Sequence, residues 1–104
     1  MEAVLKAIAV HRRREILRLV WRQELSAGEI ATQFDMVSRP AISQHLRVLE
    51  SAGLVVERRE GTRRLYLARP EKVAELRTFL EDFWDDQLQL LKEAAEAAEK
   101  EQGC

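Results

Sequence analysis

Ser26-Ala27-Gly28-Glu29-Ile30-Ala31-Thr32-Gln33-Phe34-Asp35-Met36-Val37-Ser38-Arg39-Pro40-Ala41-Ile42-Ser43-Gln44-His45-Leu46-Arg47-Val48-Leu49-Glu50-Ser51-Ala52-Gly53 is the stretch that decides the fold. It encodes two helices. Ser26 is an N-cap candidate, and Glu29, three positions on, completes a capping box. Ala27, Ile30, Ala31 and Phe34 form one apolar face, which Asp35-Met36-Val37 interrupts. Ser38 is a second N-cap candidate. Pro40 falls in the following first turn, where a missing N–H costs little. A helix over 39–52 follows, with Ile42, Leu46 and Leu49 on its inner face and Gly53 as its stop. Two short helices joined by a turn of three to four residues predict a helix-turn-helix over 26–52.

Downstream, Leu54 to Arg59 reads as a strand, Glu60-Gly61-Thr62 as a turn and Arg63 to Leu67 as the returning strand. The hairpin over 54–68 is marginal alone, so its apolar side must pack on the helices. Pro70 opens a long helix in which Val73, Leu76, Leu80, Phe83, Trp84, Leu88, Leu91, Ala95 and Ala98 recur every three or four positions. The polar tail, Glu93 to Cys104, is expected to fray. Upstream, His11 to Glu24 reads as a helix carrying Arg13, Ile16, Leu17, Val20 and Trp21 at the helical period. Met1 to Val10 places Val4, Leu5 and Ile8 at helical spacing, but is too short to hold as a helix unless it packs on something. The fold class is mainly α with a small β-hairpin. A hairpin directly after the second helix of a helix-turn-helix makes it a winged helix-turn-helix.

Composition fits one domain over 1–104. The chain has 104 residues, 46% hydrophobic and 34% charged, with 4 Gly and 2 Pro. That excludes a β-sandwich, a low-complexity chain and a collagen-like fibre. No apolar run approaches a membrane span, and no signal-peptide pattern opens the chain. One cysteine, Cys104, leaves no intramolecular disulfide, and a cytoplasmic setting is the expectation. The net charge of −1 hides a division. Residues 1–70 hold 13 Lys and Arg against 8 Asp and Glu, a balance of +5; residues 71–104 hold 4 against 10, a balance of −6. Such asymmetry points to an anionic partner for the basic part, against the plainer reading of two solvated faces.

The chain resembles the ArsR family of bacterial winged-helix repressors. The resemblance lies in Glu24-Leu25-Ser26-Ala27-Gly28-Glu29-Ile30-Ala31, in Ser38 to Leu49, in Ala52-Gly53-Leu54-Val55 and in the wing from Arg58 to Arg64. One departure is Val10-His11-Arg12-Arg13, where family members often carry Asp-Pro-Thr-Arg; only Arg13 matches. The resemblance implies a homodimer formed by the first and last helices, 1–10 and 70–98. On that reading Val4, Leu5 and Ile8 join Phe79, Phe83, Trp84, Leu88 and Leu91 at the interface. The last helix supports this independently, because its apolar stripe is wider than a small monomer can cover, against the plainer reading that the stripe packs on its own domain's core.

Double-stranded DNA is the expected partner. With Ile42, Leu46 and Leu49 inward, the outer face of the 39–52 helix carries Pro40, Ser43, Gln44 and Arg47, flanked by Arg39 and His45. Gln reads adenine, Arg reads guanine, and Ser accommodates either. Ser38 and the first helical N–H groups suit a phosphate. The alternative is an ordinary solvated face, and His45 equally suits packing beside Leu49. In the wing, Arg58, Arg59, Arg63 and Arg64 suit phosphate or a narrow minor groove. Strand alternation is expected to point Arg59 and Arg63 differently from Arg58 and Arg64, and Arg58 has Glu60 as an alternative partner. Arg12 and Arg14, at the start of the second helix, suit phosphate or only Glu15 and solvent, the second being favoured. A symmetric dimer then implies an inverted-repeat operator.

No metal site or cofactor is expected. Metal-sensing relatives carry Cys-x-Cys where this chain has Ser26 and Gly28, and the last helix holds Glu81, Asp82, Asp85 and Asp86 without a histidine. His11, His45 and Cys104 are the remaining ligand candidates. An enzyme is not expected: there is no Ser/His/Asp order, Gly-rich phosphate loop or carboxylate cluster in an apolar pocket. The alternatives left open are a repressor answering an effector, metal or oxidant through other ligands, and a winged helix that binds a protein partner.

Overall fold

The computed structural model describes residues 1–102. The chain divides into two compact units, Met1–Val73 and the segment from Ala74 onward. Eight elements follow in order: α1 (Glu2–Ile8), α2 (His11–Leu19), β1 (Leu25–Ser26), α3 (Ala27–Ala31), α4 (Arg39–Ser51), β2 (Val55–Glu60), β3 (Arg63–Ala68) and α5 (Pro70–Gln102).

The first unit is built around the inner faces read from the sequence. Ile16, Val20, Ile30, Ile42, Leu46, Leu49, Leu54 and Val55 are buried. Each contributes about 1.5–3 kcal/mol through removal from water. α1 is short, and it is held as expected, by packing: Val4 and Ala7 are buried. Its C-terminal carbonyls are also satisfied. Arg13 Nε donates to the Ala7 carbonyl at 2.6 Å, Arg13 Nη2 to Lys6 at 3.0 Å, and Arg14 Nη1 to Ile8 at 2.6 Å. Two cations at a helix C-terminus also suit its dipole.

The sheet has three strands in the order β1-β3-β2, all antiparallel. The sequence reading had a two-stranded hairpin. The third strand, β1, pairs Leu25 with Tyr66 and Ser26 with Leu65. Two residues carry no alternation, so no pattern announced it. Its formation explains why α2 ends at Leu19 rather than Glu24: the Val20 carbonyl accepts from the Ala68 N–H at 2.9 Å, and the chain must straighten to reach the sheet edge.

The helix-turn-helix connection also differs from expectation. Residues 32–38 separate α3 from α4, longer than a three- to four-residue turn. Met36 takes φ 60° there, in the left-handed region, and is fully exposed. At the far end of α4, Gly53 has φ 79°. Its N–H donates to Glu50 O and that of Leu54 to Leu49 O, the two bonds of a Schellman stop. In the second unit α5 stays helical to Gln102 instead of fraying after Glu93. Ala94, Ala95, Ala97 and Ala98 among Glu and Lys are strong helix formers. Cys104 lies outside the described residues. Among the described residues, no helix is long and apolar enough to cross a membrane.

Candidate nucleic-acid interface

Each end of α4 is fixed by its own residues. The Ser38 hydroxyl accepts from the Ala41 N–H at 3.2 Å, and Pro40 sits within the first turn. α3 is fixed likewise. The Glu29 N–H donates to Ser26 Oγ at 3.1 Å and the Ser26 N–H to Glu29 Oε1 at 3.0 Å, a complete capping box. Because Ser26 also pairs with Leu65 in the sheet, the start of α3 is tied to the wing.

Between these elements lies an open, polar groove of about 800 Å³. α3 and its cap contribute Ser26, Ala27 and Gly28. α4 contributes Arg39, Ser43, Arg47 and Glu50, and the wing contributes Glu57, Thr62, Arg63, Arg64 and Tyr66. Gly28 is where Arg39 approaches α3: a Cβ there would lie 3.8 Å from the Arg39 guanidinium carbon.

Ser38, Arg39, Pro40, Gln44 and Arg47 are exposed, and Ser43 is half-buried in the groove. Arg47 Nη1 donates to Gln44 Oε1 at 3.2 Å, so the two candidate base readers already orient one another. His45 does not join them. It stands three residues after Ile42 and four before Leu49, on the inner side of α4, and its Nδ1 is buried without a partner. Burial, with Arg13 and Arg12 beyond it, holds the imidazole pKa below its ordinary value. Burial of Nδ1 favours the packed alternative for His45 over the DNA contact.

The wing arginines also need correction. β2 and β3 pair Arg59 with Arg64, Arg58 with Leu65 and Glu60 with Arg63. Opposed residues share a face, so Arg59 goes with Arg64, and Arg58 with Arg63. The expected grouping fails because the two-residue turn at Gly61-Thr62, with Gly61 at φ 63°, sets a different register. Each pair has its own carboxylates. Arg58 Nε donates to Glu24 at 2.8 Å and Arg58 Nη2 to Glu60 at 3.1 Å; Arg63 Nη2 donates to Glu29 at 2.6 Å. Arg59 and Arg64 lie 3.8 and 3.7 Å from the Glu57 carboxylate. Tyr66 lies beside this second pair, bonded to Arg64; burial pushes its phenol pKa up, with Glu57 and Glu50 adding to the effect.

Several functional neighbours escaped the sequence reading. Glu50, Glu57 and Tyr66 line the groove; Glu57 and Tyr66 are placed by the strand register, while Glu50 follows Arg47 by three residues on α4. Arg12 and Arg14 each have partners of their own. Arg14 caps α1, whereas Arg12 bonds Glu15 at 3.3 Å and stacks over Phe34 at 4.6 Å. The family positions for soft metal ligands do not fit a metal: Ser26 Oγ is engaged in the cap, and Gly28 has no side chain. Among the described residues, no group of three His, Cys, Asp or Glu comes together.

The residues expected at a dimer interface fall into two sets. Val4 is 2% exposed, so it belongs to the interior of its own chain; Leu5 and Ile8 are half-buried. Phe79, Phe83, Trp84, Leu88 and Leu91 are all exposed, together with Leu80 and Leu90.

Comparison with known proteins agrees with this architecture. A family profile described as bacterial regulatory protein, arsR family, matches residues 11–56, from α2 into β2. The HTH-type transcriptional regulator Rv2034 of Mycobacterium tuberculosis is 47% identical over 79 residues, which are 76% of this chain and 73% of that protein. The transcriptional repressor SdpR of Bacillus subtilis is 41% identical over 61 residues, 59% of this chain and 67% of that one. Among solved structures, the homodimeric winged helix-turn-helix DNA-binding domain of Mb0332 from Mycobacterium bovis superposes with a TM-score of 0.65 at 38% identity. It covers 84% of this chain and 80% of that domain.

Proposed function

Because this chain belongs to the arsR family of bacterial regulatory proteins, we propose that it is a homodimeric transcriptional repressor that binds double-stranded DNA at an inverted repeat. The observation that carries the reading is the groove between α4 and the wing, where Arg39, Ser43, Arg47, Arg63 and Arg64 converge. Gln44 and Arg47 read base edges, Ser43 assists, and Arg39, with the helix start at Ser38 and Pro40, holds the backbone. Arg59 and Arg64 contact phosphate or the minor groove, while Arg58 and Arg63 brace the wing on Glu24 and Glu29.

The dimer forms through the exposed face of α5, and Leu5 and Ile8 of α1 contribute to it from the first unit. A two-fold dimer places its half-sites about one helical turn, roughly 10–10.5 bp, or a multiple apart. Repression follows when the dimer occupies a promoter. The protein works in the cytoplasm, performs no catalysis, and needs none of the metal ligands that its metal-sensing relatives use. An effector or protein partner would act by changing the dimer or the wing.

The test is selection of bound duplexes from a random library with purified protein and a chelator present. Enrichment of an inverted repeat supports a symmetric, metal-independent reader of DNA. Recovery of unbiased sequence, or of none, overturns it.

A further inference from the structure

The wing holds four arginines, and its two faces treat them differently. Arg58 and Arg63 make short hydrogen bonds to carboxylates outside the hairpin tip, at Glu24 and Glu29. Those bonds fasten the wing to the body. Among the described residues, Arg59 and Arg64 have no carboxylate partner in the body; Arg64 also neighbours Tyr66 on its own strand. Both reach the carboxylate of Glu57, which is on their own face of the hairpin, at 3.8 and 3.7 Å. The side chain of Glu57 is 22% exposed, whereas those of Arg59 and Arg64 are 68% and 57% exposed. One anion therefore lies beneath two cations that open to water, at the edge of the groove. Ion pairs this exposed and this long are weak, and a competing anion replaces them readily.

On the reading that the groove binds DNA, we propose that Glu57 is an affinity-setting counter-charge. It neutralises part of the Arg59–Arg64 pair in the free protein and competes with DNA phosphates for both side chains. Non-specific binding is almost wholly electrostatic and grows with each phosphate neutralised. A carboxylate at this position subtracts from that component wherever the protein lands. The base contacts assigned to Gln44 and Arg47 come from a different element, α4. Glu57 thereby limits attachment to DNA that lacks the operator. The β2–β3 ladder is held by backbone bonds, so replacing this side chain leaves the hairpin in place.

The experiment compares the wild-type chain with Glu57→Gln on a random-sequence duplex across a salt series. Each phosphate newly neutralised steepens the slope of log K against log salt by about 0.9, which is about fivefold in affinity near 0.15 M salt. One or two freed arginines therefore predict a gain of about fivefold to about thirtyfold. Glu81→Gln removes an equal charge from α5 and is expected to leave the slope unchanged. Adding Arg59→Ala and Arg64→Ala to Glu57→Gln is expected to abolish the gain. A Glu57→Gln chain that is folded by circular dichroism yet has the wild-type slope, or binds more weakly, overturns the proposal. If the wild-type chain binds no duplex at any salt, the DNA reading itself fails and takes the proposal with it.

Discussion

α4 and α5 are both amphipathic helices, and they meet opposite fates. In α4 the apolar residues Ile42, Leu46 and Leu49 are fully buried, and what remains outside is polar apart from Pro40. In α5 the apolar stripe from Phe79 to Leu91 stays open to solvent, with Trp84 62% and Leu91 66% exposed. The same periodicity thus encodes two different instructions. A 13-residue helix with three large inner residues is completed by its own chain. A 33-residue helix carrying three aromatics and a row of leucines is not, and an exposed contiguous patch of that kind is a candidate association surface.

The largest expected effect comes from breaking the open face. Placing charges at Phe83→Glu and Trp84→Glu removes two aromatic anchors of the kind that dominate interfaces, each contributing about 2 kcal/mol or more. Dimer dissociation should rise by about a thousandfold. Sedimentation should show a monomer with the wild-type circular dichroism. A dimer that survives would mean that α5 is not the association surface. The matching change in the closed helix should act on the fold instead. Leu46→Ala removes a fully buried side chain and should cost about 2–5 kcal/mol in urea unfolding. An unchanged urea midpoint would show that the packing of α4 is not what holds the first unit together.

A smaller effect separates the outer face of α4 from its inner one. Gln44→Ala with Arg47→Ala leaves the buried side untouched. It should remove about 1–3 kcal/mol of discrimination per base contact, while the urea midpoint and the dimer stay at wild-type values. Fluorescence anisotropy on a selected duplex measures it. Undiminished preference for that duplex would move base reading elsewhere, with the wing as the next place to look.

What was legible in the sequence follows from how local each feature is. The capping box at Ser26 and Glu29, the cap at Ser38 and the Gly53 stop are set by neighbours within a few positions, so they read directly. The inner faces of α3 and α4 follow from period alone. β1 was invisible because two residues show no period, and the end of α2 was misplaced because β1 dictates it. The pairing of wing faces depends on the turn register, which a one-residue slip inverts. The ties Arg58–Glu24 and Arg63–Glu29 join residues 34 positions apart, and no short pattern announces them. The same holds for Arg13, whose match to the family was visible while its work on the α1 carbonyls was not.

His45 gives the smallest effect and the finest distinction between the two sides of α4. Its Nδ1 is buried and unpartnered, and burial together with Arg13 and Arg12 lowers its pKa. Neither arginine is free to withdraw. Arg13 is bonded to the carbonyls of Ala7 and Lys6, and Arg12 to Glu15. The folded chain therefore binds the His45 proton less tightly than the unfolded chain, whose imidazole titrates near its ordinary value of 6.5. The unfolded state holds more protons as pH drops, so stability linked to neutral His45 is fully present above about pH 6.5 and is lost as pH falls through the lower folded value. A His45→Gln chain has no such proton to bind. Urea midpoints of the two chains, measured from pH 7.5 down to pH 5, should diverge, with the wild type losing more than the variant. Carboxylates that titrate in the same range are common to both chains and cancel in the difference. Parallel curves would mean that His45 is solvated in both states, which would return its imidazole to the set of side chains available to DNA.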